Sequence, residues 1–194
     1  MSFVARFEEI NGDLFRFDTR IYLGEYDLAR ESFCVASIVG KNPGSASPKI
    51  TGELSDLELD GDKLLPFVRN RFLATINMKG RSPEPNTYVR VWNLFYLCNK
   101  NLHEAKLAHE KHGASTFCAS ESHQVPINWF AWGPSDSYLD PYKNRFLSKE
   151  YKSPFFYDNR KKFVISGVPV ITDSVKHTQG MPARPVENHL ALVL

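Results

Sequence analysis

The chain is poor in cysteine, and the three it has, Cys34, Cys98 and Cys118, lie far apart with no Cys-x-x-Cys pair among them. An odd, scattered set of this kind suggests neither a zinc site nor a redox dithiol, and it fits a reducing, cytoplasmic setting. Charge of one sign is lacking as well: 24 Lys and Arg stand against 22 Asp and Glu, for a formal net charge of +2. A nucleic-acid partner is thereby permitted, through a locally basic face, but not demanded. There is no long apolar run, and acidic residues come early, so neither a signal peptide nor a membrane span is expected. No internal repeat or low-complexity segment is evident, and an apolar fraction of 42% with 24% charged residues excludes the disordered and fibrous classes. A chain of 194 residues with that composition reads as one domain spanning residues 1–194. No residue pattern calls for a cofactor.

What is there is organised around residues 32–47, Ser-Phe-Cys-Val-Ala-Ser-Ile-Val-Gly-Lys-Asn-Pro-Gly-Ser-Ala-Ser. Residues 33–39 are an apolar, β-branched run too continuous for a half-solvated edge, which places them in the buried middle of a sheet. Gly40, Pro43 and Gly44 then force a tight turn in which the chain passes close to whatever occupies the strand's C-terminal end. In open α/β sheets ligands sit at that end, and Asn42 would present there an amide able both to donate and to accept. A plain Asn-Pro-Gly turn accounts for the same residues without a ligand.

Residues 3–7 and 14–22 alternate apolar and polar positions on either side of Asn11-Gly12, a favoured turn, so residues 1–31 are expected to form an N-terminal β-hairpin extension covering one side of the sheet. Residues 45–62, with Pro48 and Gly52, read as a surface loop. Asp62 suits an N-cap, and Leu65, Val68, Phe72 and Ile76 recur at helical spacing until Gly80. Residues 88–97 are a second strong strand, interrupted by Asn93. A buried amide left unpaired costs about 1–3 kcal/mol, so Asn93 needs either backbone partners or a ligand. Residues 99–111 read as a charged helix; its neighbourhood holds His103, His109 and His112, which lack a third ligand of fixed spacing and are expected to be solvated. Residues 125–132 and 163–172 are a third and a fourth strand, with a helix begun at Ser135 or Asp136 between them. Residues 173–185 form a polar loop before a short apolar tail at 190–194. Strands separated by helices, with connections long enough for crossovers, predict a single-domain α/β fold, three-layer α/β/α around a four-stranded, largely parallel sheet.

The strand ends carry a family resemblance. Gly40-Lys41-Asn42-Pro43-Gly44 resembles the first motif of the uracil-DNA glycosylase superfamily, nearest its mismatch-specific and single-strand-selective branches. Residues 88–97 resemble that superfamily's second strand, with Asn93 as its base-reading amide, and Phe130-Ala131-Trp132-Gly133 is similar to its third, which often closes in Trp-Gly. The tighter likeness is to a family of uncharacterised bacterial and phage proteins marked by a Leu-Asn-Pro-Ser-x-Ala loop, an Asn-Leu-Phe strand and an Ala-Trp-Gly strand. It covers roughly residues 30–190, and the order and spacing of short motifs carry its specificity. Both groups usually place His-Pro in the last loop, where this chain has Ala183-Arg184-Pro185.

The resemblance implies a uracil-DNA-glycosylase-like domain that hydrolyses the N-glycosidic bond of a base, natural or modified, in DNA. Asn42 would orient the attacking water, since an amide cannot act as a base. Asn93 would bond the base edge, within a loop shaped by Gly40, Lys41, Pro43 and Gly44. Arg184 or His177, or His189 reaching in, would stabilise the leaving anion. Lys49 and Lys176, with Lys41 and Arg184, would contact phosphate. The partner would be single-stranded DNA, a flipped base or a nucleotide. Phe33, Trp92 and Tyr96 are candidates for stacking, although strand aromatics more often belong to a core. Two other classes stay open: a non-catalytic nucleotide or nucleic-acid binder on the same fold, and a protein-interaction module with a protein partner.

Overall fold

A computed structural model describes residues 2–44, 47–48, 50–59, 61–99, 101–112, 116–134 and 136–194. Two long strands open the chain, β1 (Phe3–Ile10) and β2 (Asp13–Tyr22), followed by β3 (Phe33–Gly40), the short β4 (Ser47–Pro48) and β5 (Leu54–Glu58). Helix α1 (Leu64–Met78) leads to β6 (Thr87–Asn93), α2 (Leu102–Glu110), β7 (Ile127–Phe130), α3 (Asp140–Leu147), β8 (Ser153–Asp158), β9 (Phe163–Ser166) and α4 (Ala183–Val193).

These strands form one nine-stranded mixed sheet in the order β4-β5-β1-β2-β6-β3-β7-β8-β9. The expected four-stranded, largely parallel, uracil-DNA-glycosylase-like sandwich is therefore wrong. Parallel pairing is confined to the run β6-β3-β7-β8. The other five ladders, β4–β5, β5–β1, β1–β2, β2–β6 and β8–β9, are antiparallel. The cause lies in where the added strands dock. Asn11-Gly12 does turn the chain between β1 and β2, with φ of 51° and 82°, but the hairpin covers no face. Instead β2 joins the ladder edge-on, pairing Thr19 with Val91 and Tyr22 with Tyr88, and β5, inside the supposed surface loop, then pairs with β1. At the far side β8 was not anticipated. The expected fourth strand is β9, which folds back on β8 as an antiparallel edge. The apolar tail at 190–194 falls largely within α4.

Alternation along the central strands sends successive side chains to opposite faces. Ala36 and Ile38 of β3, Val89 and Val91 of β6, and Trp129 of β7 pack with Leu65, Val68 and Phe72 of α1 and Val186 and Leu190 of α4. On the other face Val39, Trp92 and Phe130 pack with Ala105 of α2 and Phe146 of α3. Trp129 is fully buried and stacks on Phe155, ring centroids 5.6 Å apart. Burying a side chain of this class is worth roughly 1.5–3 kcal/mol. Among the described residues no helix is long and apolar enough to cross a membrane.

Three features of this arrangement bring distant segments to one sheet edge. Parallel register sets Gly40 opposite Asn93, so β3 and β6 end side by side. Beyond β6 the chain runs back along β2, with Arg16 N–H donating to Tyr96 O (2.9 Å) and Cys98 N–H to Leu14 O (2.8 Å), which brings Arg16 to that edge. Beyond β9 the loop returns across the end of β8, where Lys176 N–H donates to Tyr157 O (2.9 Å) and Asn159 N–H to Ser174 O (2.7 Å).

Candidate functional site

At this edge lies a cleft of two confluent lobes. The larger, about 600 Å³, is lined by Arg16, Asn42, Gly44, Asp62, Phe67, Asn93, His177 and Thr178, among others. The smaller, about 410 Å³, is lined by Lys41, Asn42, Pro134, Asn159, Lys176 and His177, and shares Asn42, His177 and Gln179 with the first. The larger falls within the ~300–1,000 Å³ typical of small-molecule sites.

Asn93 forms part of the floor. It is 1% exposed, and its amide nitrogen has no hydrogen-bond partner among the described residues. An unpaired buried donor costs roughly 1–3 kcal/mol, a cost that a ligand acceptor would remove. Gly40 explains how the amide is held: a β-carbon there would lie 2.9 Å from Asn93 Oδ1, closer than any side chain allows. Glycine there leaves the Asn93 side chain the room it occupies.

Asn42 is placed differently from what its sequence context suggests. Its Nδ2 donates to the carbonyls of Pro43 and Asn99, each at 3.0 Å, so the amide pins the turn to the segment after β6. His177 is fixed by Gln179 N–H, which donates to Nδ1 at 3.2 Å and leaves Nε2 to carry the proton of the neutral ring. Burial pushes the imidazole below its ordinary pKa; Lys41 adds to the shift and Asp62 opposes it. Burial likewise lowers the Lys41 ammonium. Gly133, at φ 88°, closes the turn after β7 where a β-carbon would come within 3.3 Å of His177 Cβ, which gives the Ala-Trp-Gly sequence a steric reason.

Of the residues singled out from sequence, the structure thus brings Asn42, Gly44, Asn93 and His177 to one lobe and Lys41 and Lys176 to the other. Gly40 lies beneath Asn93, and Pro43 is buried in the turn. Arg184 does not join them: it is exposed on the first turn of α4 and lines neither lobe. His189, also on α4, packs against Phe155. Lys49 lies outside the described residues. Phe33 is 57% exposed at the opposite end of β3, and Trp92 and Tyr96 are buried in the core, so none of these aromatics is a platform in the cleft. His112, expected to be solvated, is 1% exposed in its side chain and meets Asp13 Oδ2 at 2.7 Å through Nε2. Among the described residues no cluster of three His, Cys, Asp or Glu side chains could hold a metal ion.

Three lining residues carried no functional signal in the sequence. Phe67, off the apolar stripe of α1, is the aromatic face of the larger lobe. Arg16 and Asp62 are a buried pair, Nη1 to Oδ2 at 3.4 Å, with side chains 2% and 5% exposed. The capping reading of Asp62 does describe part of its role: Oδ1 accepts from the N–H groups of Leu64 (2.9 Å) and Leu65 (3.2 Å). The site accordingly offers an unmet donor, an imidazole N–H, an aromatic ring and one carboxylate, with two lysines next door. Comparison with models of known protein families, with curated proteins and with solved structures finds no match to this chain.

Proposed function

We propose that the larger lobe receives a single nucleobase and that the protein hydrolyses the N-glycosidic bond of a base, natural or modified, in DNA. The observation that carries this reading is the unpartnered Asn93 amide on the floor of a cleft that also holds Phe67 and His177. A planar heterocycle can stack on Phe67, offer a carbonyl to Asn93 Nδ2 and meet the His177 N–H at its far edge. Base–sugar hydrolysis passes through an oxocarbenium-like species, so most of the catalysis must come from stabilising the charge that develops on the departing base. The His177 Nε2–H is the donor suited to that task. Lys41 and Lys176 in the smaller lobe supply cations for the flanking phosphate. A base inside a duplex cannot reach such a cleft, so the substrate is single-stranded or flipped.

The test is base release from a panel of single- and double-stranded oligonucleotides carrying uracil, mismatched and modified bases. The unsubstituted protein is expected to release at least one base, with Asn93→Ala and His177→Ala slowed by about a hundredfold or more. No release from any substrate would defeat the proposal. One observation favours a second reading, a nucleotide or nucleic-acid binder without chemistry: the Asn42 amide nitrogen is committed to two backbone carbonyls. Binding that weakens steeply with salt while every base stays attached would select it.

A further inference from the structure

We infer that Asp62 is the catalytic carboxylate of this cleft and takes the proton from the attacking water, an assignment that rests on the hydrolase reading above. Asn42 has no basic atom, and its amide nitrogen already holds the turn in place. Among the described residues, Asp62 is the one carboxylate lining either lobe. Its two oxygens are not equivalent. Oδ1 is taken by the first two N–H groups of α1, whereas among the described residues Oδ2 has only the long 3.4 Å contact with Arg16 Nη1. Oδ2 also faces the Asn42-Pro43-Gly44 turn, lying 3.6 Å from where a Gly44 β-carbon would stand. That spare oxygen, held rigid by a helix end and shielded from bulk water, is where a single water could be bound and deprotonated.

In the step, the water oxygen attacks C1′ of the sugar, the C1′–N bond breaks and its electron pair leaves with the base. The proton lost by the water passes to Asp62 Oδ2. The anionic base, bonded by His177, then takes a proton from solvent, and Asp62 returns its own to solvent, so that one water is consumed per base released.

Asp62→Asn tests this directly, because asparagine caps a helix as well as aspartate does. Single-turnover base release and oligonucleotide affinity are measured on the same preparations. Release by Asp62→Asn is expected to fall about a hundredfold or more while affinity changes by less than about threefold. Arg16→Gln, which keeps the carboxylate and removes its partner, should slow release less than Asp62→Asn does. The double variant Arg16→Gln/Asp62→Asn leaves no buried charge unpaired and serves if the single one does not fold. Should the unsubstituted protein release base and Asp62→Asn do so equally fast, the assignment is overturned and the hydrolase reading survives. Equal losses in Asp62→Asn and Arg16→Gln would also overturn it, since the pair would then matter only as a pair. An unsubstituted protein that releases no base overturns both.

Discussion

Two carboxylates in this molecule are buried to nearly the same extent yet stand in opposite situations. Glu121, 7% exposed, accepts from Tyr96 Oη (2.6 Å), from Arg145 Nε (2.8 Å) and Nη2 (3.2 Å), and from Lys149 Nζ (3.5 Å). Burial first, and then Glu121, push the Tyr96 hydroxyl well above its ordinary pKa, so it remains the donor. Arg145 goes on to bond the carbonyls of Asn93 and Leu94. Asp62 has one oxygen saturated and one almost unused. Glu121 also borders a cleft of about 780 Å³, larger than either lobe of the candidate site. The uncommitted atom lining that cleft is the Asn128 carbonyl oxygen, whose amide nitrogen is tied to Ser37. Cavity size alone would have pointed there. Unspent hydrogen-bonding capacity on charged and donor groups points to the lobe of Asn93 and Asp62 instead.

The contrast can be broken most forcefully at Glu121. Glu121→Ala leaves Arg145 and Tyr96 without their partner and should cost about 3–5 kcal/mol in urea denaturation, with base release per folded molecule unchanged. The double variant Arg16→Gln/Asp62→Asn, which leaves no buried charge unpaired, should show the reverse balance, losing only about 1–3 kcal/mol while losing the chemistry. A stability loss at Asp62 as large as that at Glu121 would erase the distinction. Next in size is Gly40→Ala, whose new methyl collides with Asn93 Oδ1; a loss of about 1–3 kcal/mol and a clear drop in oligonucleotide affinity are expected. Gly133→Ala adds left-handed backbone strain of roughly 1–2 kcal/mol beside His177, read by thermal unfolding.

The smallest effect is one of pH. Because burial lowers the His177 pKa, the folded state binds its proton less readily than the unfolded chain does. Stability from this residue is full above the ordinary histidine range and is lost as pH falls below ~6.5 toward the folded value. His177→Gln should flatten that part of the stability curve measured by denaturation at successive pH values. Lowered by burial in the same way, His189 would leave a residual slope of the same sign.

Local signals in the sequence marked much of the cleft but not the sheet around it. Gly40, Asn42 and Asn93 were legible because each breaks an apolar run at a strand end. His177 was marked only as a histidine able to reach in, because the family position itself falls on Ala183-Arg184-Pro185. Arg16 was not legible, since its role exists only once β2 pairs with β6, and alternation says nothing of which strand lies alongside. Asp62 was legible as a cap, for its Oδ1, and silent about Oδ2. β5 reads Leu-Ser-Asp-Leu-Glu and β8 begins Ser-Pro, so neither announces itself as a strand. β5 pairs antiparallel with β1 and β4, and β8 pairs parallel with β7 and antiparallel with β9, so an expected four-stranded, largely parallel sheet is a nine-stranded mixed one.

The lobe of Asn93 assembles residues 16, 42, 62, 93 and 177, which sets a condition on biosynthesis. A nascent chain leaving the ribosome carries most of these side chains long before it carries the last, and the cavity has no fourth wall until the loop after β9 has emerged and docked on β8. No N-terminal fragment ending short of that loop can present the complete lobe.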